Sequence, residues 1–156
     1  MKEIKLTKGK VALVDDADYD LLNQLNWYAF WNGKTFYAAR NSPKKRGVTI
    51  FMHQMILGVK GGDHINGNGL DNQRANLRAC TVSQNGMNAQ PRLGCASKYK
   101  GVTLKKKLKK YPWQAGIVVN KKRIHLGYFE TDTEAAIAYN EKAFELFGEF
   151  ARPNVI

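Results

Sequence analysis

The stretch GGDHINGNGLDNQRANLRACTVSQNGMN, residues 61–88, decides the fold. Gly62 to Ile65 suits a short strand, Asn66 to Ala75 is dense in turn-forming residues, and Asn76 to Cys80 suits a second strand. Thr81 and Gln84 then occupy the N-cap and third helical positions of a capping box, which predicts a helix with Asn85 in its first turn. The order is strand, loop, strand, helix. Side chains three apart share a helix face, so Asn85 and Asn88 are expected on one side, turned toward the strand that carries Asp63 and His64.

Adjacent strand residues point to opposite faces, so Asp63 can hold a metal while His64 faces a nucleophile. Imidazole, with an ordinary pKa of about 6.5, is suited to deprotonating water at neutral pH. Phosphodiester cleavage needs such a base and a Lewis acid for the developing charge. A carboxylate from Asp63 and an amide oxygen from Asn85 form a hard oxygen set that suits Mg2+, with Mn2+ compatible and zinc disfavoured.

The run Asp63-His64, Asn66-Gly67-Asn68, Asp71-Asn72, Asn76-Leu77, Thr81 and Gln84-Asn85, with MHQMILG upstream at residues 52–58, resembles the HNH endonucleases of the phage and intron homing type. That resemblance implies a ββα-metal fold. It implies His64 as general base, Asp63 and Asn85 as metal ligands, and Asn76 as the residue that braces the loop and orients the site. Asn85 stands where some members carry a second His. His53 matches a His that this branch often places before a short apolar helix, and is expected in a supporting role.

Working outward, residues 1–50 read as a β-rich extension with one helix. IKLTKGKVALV alternates, Asp15 or Asp16 is expected to cap a helix carrying Leu21, Leu22 and Leu25, and WYAFW, TFYAAR and VTIF read as strands. This extension resembles those found beside this HNH branch, and is expected to complete the core and to contact DNA through Lys44, Lys45 and Arg46. Its aromatics are expected in the core. Residues 51–90 form the nuclease core, and 91–97 read as a linker. Residues 98–156 form a further module of three strands joined by basic turns at Lys109 to Pro112 and Asn120 to Lys122. A helix follows, with Thr131 and Glu134 as capping box, Gly148 at its end, and Ala135, Ala138, Tyr139, Lys142, Ala143 and Leu146 along one stripe. The fold class is α+β.

Residues 98–123 carry ten Lys and Arg and no acid, a one-signed surface that suits a phosphate track. YKGVT, WQAGI, IHLGYF and TEAAIAYNEKA resemble the Apetala/ethylene-response-factor DNA-binding domain, over residues 98–154. The resemblance implies a three-stranded antiparallel sheet, packed on one helix, that reads the major groove. It maps the DNA-binding surface to Lys100, Thr103, Lys105, Arg123 and His125, and Lys107 of the basic run is placed with them. Gly116, Val118 and His125 depart from the plant pattern, so plant-type sequence preference is not transferred.

The 156 residues sum to a formal charge of +12, with a pI near 9.8, which makes a polyanion the expected partner. No apolar run approaches the roughly 18 residues a transmembrane helix needs, and the N-terminus lacks the apolar core of a secretory signal. Membrane binding is not expected, and the expected location is the cytoplasm of a bacterial or phage-infected cell. Cys80 and Cys95 are too few for a disulfide framework or a four-cysteine zinc site. A metal-dependent, site-directed DNA endonuclease of homing type is therefore expected, acting on double-stranded DNA. It is expected to work as a monomer, with a dimer as the alternative and no protein partner evident. The alternative function is a non-catalytic DNA-binding regulator on an inactive HNH scaffold. An RNA partner is disfavoured because the deep A-form groove would not admit the sheet.

Overall fold

In a computed structural model describing residues 1–89 and 95–156, the chain groups into two compact units, Met1–Val82 and Ser83–Ile156. Residues 91–94 of the expected linker lie outside the described residues. Among the described residues no helix is long and apolar enough to cross a membrane.

The first unit begins with β1 (Lys2–Lys5) and β2 (Val11–Val14), an antiparallel pair that buries Ile4, Ala12 and Val14. Helix α1 (Asp16–Asn23) follows and buries Leu22. Strands β3 (Tyr28–Trp31), β4 (Phe36–Asn41) and β5 (Thr49–Phe51) form an antiparallel sheet in that order, as their alternating aromatic and small residues predict. Helix α2 (Met52–Leu57) ends at Gly58 in the left-handed region, which spares a side chain the steric cost of that turn. Strands β6 (Asp63–His64) and β7 (Leu77–Arg78) pair antiparallel, and α3 (Val82–Met87) comes next. One cluster joins Ile4, Ala12, Val14, Leu22, Trp27 and Ala38 to Met52, Ile56 and Leu77. The N-terminal extension thus supplies most of the core on which the Asp63–His64 strand rests.

Asp15 stands at the N-cap of α1 but its side chain does not cap it. The carboxylate instead accepts from the Arg74 backbone N–H at 2.8 Å and from Gln73 Nε2 at 3.3 Å. Asp18 takes the Arg74 guanidinium through two bonds of 2.8 and 2.7 Å. A local capping signal has been diverted to hold a loop distant in sequence.

In the second unit, β8 (Val102–Leu104), β9 (Trp113–Val119) and β10 (Lys122–Phe129) form an antiparallel sheet with β9 central, and α4 (Asp132–Phe147) packs on it. The β9–β10 connection is a two-residue turn in which Asn120 and Lys121 both have positive φ, the geometry that matches strand twist. The Thr131–Glu134 capping box forms as expected. Ala135, Ala136, Tyr139, Ala143 and Phe147 form the buried stripe, whereas Leu146 is exposed, because Phe147 better continues the turn from Ala143. Gly101, at φ +79, lies against the Tyr139 ring, where a Cβ would collide.

Candidate active site

Asp63 and His64 are both buried on β6, and the register sets Arg78 opposite Asp63 and Leu77 opposite His64. Asp63 Oδ2 accepts from Arg78 Nε at 3.0 Å and Nη2 at 2.7 Å. His64 Nε2 lies 3.3 Å from Asn72 Oδ1, and Asn72 is fully buried. An amide oxygen only accepts, so in this contact the neutral ring carries its proton on Nε2. Burial holds the His64 pKa below the ordinary value, opposed by the bond to Asn72 and by the carboxylates of Asp63 and Asp71.

The loop that carries Asn72 is closed by β2. Leu13 donates its N–H to Leu70 O and accepts from Asn72 N–H, both at 2.8 Å. Within the loop, Asn76 Oδ1 accepts from Asn66 N–H at 3.0 Å, and its Nδ2 donates to Asp71 O at 2.8 Å. Asn66 Nδ2 donates to Asp71 Oδ2, and Asn68 N–H to Asn66 Oδ1. The asparagines build the loop's framework. Asn76 is its brace.

His53 is buried on α2, with its ring 4.8 Å from that of His64 and near-perpendicular to it. Burial, and then the neighbouring His64, push its pKa down to about 4. It stacks on Phe51, and its Nδ1 has no hydrogen-bond partner among the described residues. Tyr37 of β4 closes the same cluster, 5.6 Å from the His64 ring, with its hydroxyl pKa raised by burial and by Asp63.

Asn85 lies in α3, in the second unit. Asp63 offers a carboxylate oxygen and Asn85 an amide oxygen. Such hard donors fit Mg2+, which keeps several waters and takes few protein ligands. Among the described residues there is no group of three or more His, Cys, Asp or Glu placed to hold a metal.

Over 154 residues, 96% of this chain and 77% of its relative, the sequence is 32% identical to an uncharacterized HNH endonuclease of Acanthamoeba polyphaga mimivirus. The chain belongs to the HNH endonuclease family. No protein-family model and no solved structure matches it.

In the second unit of this HNH family member, Thr103, Lys107, Arg123 and His125 are exposed and Lys105 is half-buried. Lys100 is placed differently. Its backbone is clamped by the Asn154 side chain through bonds of 2.6 and 3.1 Å, and its ammonium donates to Met87 O at 2.5 Å. Burial, and then Arg152, push its pKa down to about 8. Lys44, Lys45 and Arg46 are exposed on the β4–β5 loop.

Sequence reasoning assigned no role to Arg78, Asn72 or Tyr37. The signal for Arg78 was its place in a second strand that must pair with the Asp63 strand. Asn72 carried none beyond its position in the Asn-rich run, and Tyr37 resembled any strand aromatic.

Proposed function

We propose that this HNH family member is a metal-dependent, site-directed DNA endonuclease of homing type. The observation that carries the reading is the buried Asp63–His64 pair, with His64 Nε2 held by Asn72. The succession β6, β7, α3 supports a ββα-metal architecture.

In this reading His64 takes a proton from the water that attacks phosphorus, and the phosphodiester breaks at the 3′ oxygen, leaving a 5′ phosphate and a 3′ hydroxyl. Asp63 and Asn85 would hold a divalent cation, Mg2+ or Mn2+, which offsets charge on the phosphate and the departing oxygen. Asn76 keeps the loop closed, and His53 and Tyr37 fix the His64 ring from the side. One chain supplies one such centre, so a monomer nicks one strand and a double-strand cut needs a second copy or event.

The basic sheet of β8, β9 and β10 is proposed as an Apetala/ethylene-response-factor-like module that holds the duplex, with Thr103, Lys105, Lys107, Arg123 and His125 toward DNA. Lys100, tied to Met87, serves in this reading to support the strand start, while its charge adds to the surrounding field. Replacing Asp63 or Asn85 by Ala is expected to abolish Mg2+-supported cleavage while leaving duplex affinity within about twofold, since cation ligands add little to phosphate neutralisation elsewhere. Persistent cleavage in either variant removes that residue from the metal site.

The alternative, a DNA-binding regulator without catalysis, draws on one observation: Asp63 Oδ2 already takes two bonds from Arg78. It predicts tight duplex binding and no strand cleavage in any divalent cation.

A further inference from the structure

The face of the second sheet that α4 leaves uncovered has a definite chemistry. Directly opposed residues of an antiparallel pair share a face. The register therefore places Thr103 beside Gln114, Gln114 beside Tyr128, and Val118 beside Arg123, with His125 opposite Gly116. Their neighbours Val102, Ala115 and Ile117 are buried in the clusters under α4. Val118 and Tyr128 are 58% and 47% exposed, so open apolar groups lie on either side of the Gly116–His125 pair on this face.

Within it, Gln114 Nε2 lies 2.8 Å from His125 Nδ1. A carboxamide NH2 only donates, so Nδ1 accepts and the neutral imidazole carries its hydrogen on Nε2. The Tyr128 ring, 4.6 Å away, holds the imidazole from a second side. Side chains at position 116 would compete for this space: an added Cβ would lie 2.9 Å from Arg123 Nε, so glycine leaves room for the guanidinium at the position opposite His125. The ring is fixed in both orientation and tautomer.

Around this pair stand Lys105 to Lys107, Lys109 and Lys110 on one turn, and Lys121 and Lys122 on the other, with no acid anywhere from Lys98 to Phe129. A cationic rim around a directional centre is the division of labour by which rim charges hold phosphates and central groups meet base edges. We propose that Gln114 and His125 form a base-reading pair, in which Gln114 presets His125 as a hydrogen-bond donor toward an acceptor on a base edge in the major groove of duplex DNA. This rests on the reading of the second unit as the part that holds the duplex. Guanine and adenine offer an N7 acceptor there and thymine offers O4, whereas cytosine offers an amino donor that a fixed donor rejects. Gln114 is the positioning residue and His125 the reader.

The test is selection from a randomised duplex pool by the full-length chain in EDTA, comparing wild type with Gln114→Leu, His125→Ala and the double variant. Wild type is expected to enrich a site that excludes cytosine at one position. Each single variant should lose roughly tenfold of the discrimination at that position alone. The double variant should lose no more than His125→Ala, and the slope of log affinity against log salt should be the same for all four. Unchanged preference in Gln114→Leu overturns the pair. So does a uniform loss across all sites with a shallower salt slope in His125→Ala, which would make His125 a phosphate contact. If wild type enriches no site, the DNA-reading role of the second unit falls, and the pair with it.

Discussion

Arg78 faces Asp63 across the β6–β7 ladder and grips a single carboxylate oxygen through both Nε and Nη2, at 3.0 and 2.7 Å. Both side chains are close to fully buried. Taking one partner from such a pair strands the other charge in a low-dielectric site. Arg78→Leu should therefore destabilise the first unit by about 3 kcal/mol, read as a lower urea midpoint at unchanged slope. Asp63→Asn in that background should recover part of the loss.

Asn72 is a wholly buried amide whose Oδ1 meets His64 Nε2. Asn72→Leu keeps the volume but frees the tautomer, so Mg2+-dependent cleavage should fall roughly tenfold to a hundredfold, within the usual worth of a positioned general base. The bond to Asn72 raises the His64 pKa, so its loss lowers that pKa further. The acid limb of the rate profile should move to lower pH. A stopped-time cleavage series across pH reads both effects.

His53, with a pKa of about 4 in the fold against about 6.5 in the unfolded chain, links stability to pH with a definite sign. Between these values the unfolded chain binds the proton and the folded chain does not, so stability falls as pH drops from 6.5 and levels off below 4. The loss should total about 3 kcal/mol from this residue. Burial of His64 adds a loss of the same sign. His53→Phe keeps a ring against Phe51 and removes the titration. Urea unfolding at pH 7 and pH 4 should show a smaller difference for the variant than for wild type.

Lys121 adopts φ 65 in the β9–β10 turn, a conformation that costs a side chain and costs glycine nothing. Lys121→Gly should stabilise the second unit by roughly 0.5 kcal/mol or more, and Lys121→Val should destabilise it by at least as much. Thermal unfolding of the full chain, followed by circular dichroism, measures both.

These residues also mark where sequence reasoning reached and where it stopped. The strand, loop, strand, helix order around Asp63 and His64 was legible because turn formers and caps act within a few residues. The α4 capping box was legible for the same reason. Asn76, expected as a brace, accepts from Asn66 N–H and donates to Asp71 O within the loop. The Arg78 grip on Asp63, the Leu13 tether of Asn72 and the diversion of Asp15 to Arg74 were not legible. Each joins residues about 15 or more apart, through a partner choice that only tertiary packing decides. Lys100 was read with the other lysines of its run, yet chain packing sends its ammonium to the Met87 carbonyl. Leu146 and Phe147 are equally apolar, and the sheet beneath α4 selects between them.

The most direct measurement is the conversion of supercoiled plasmid and phage genomic DNA to nicked product at low salt, in Mg2+ or in EDTA, by wild type and His64→Ala. Wild type is predicted to nick only with Mg2+, and His64→Ala to lose nicking while retaining duplex binding. Nicking by His64→Ala at the wild-type rate, or nicking by wild type that persists in EDTA, would contradict the account.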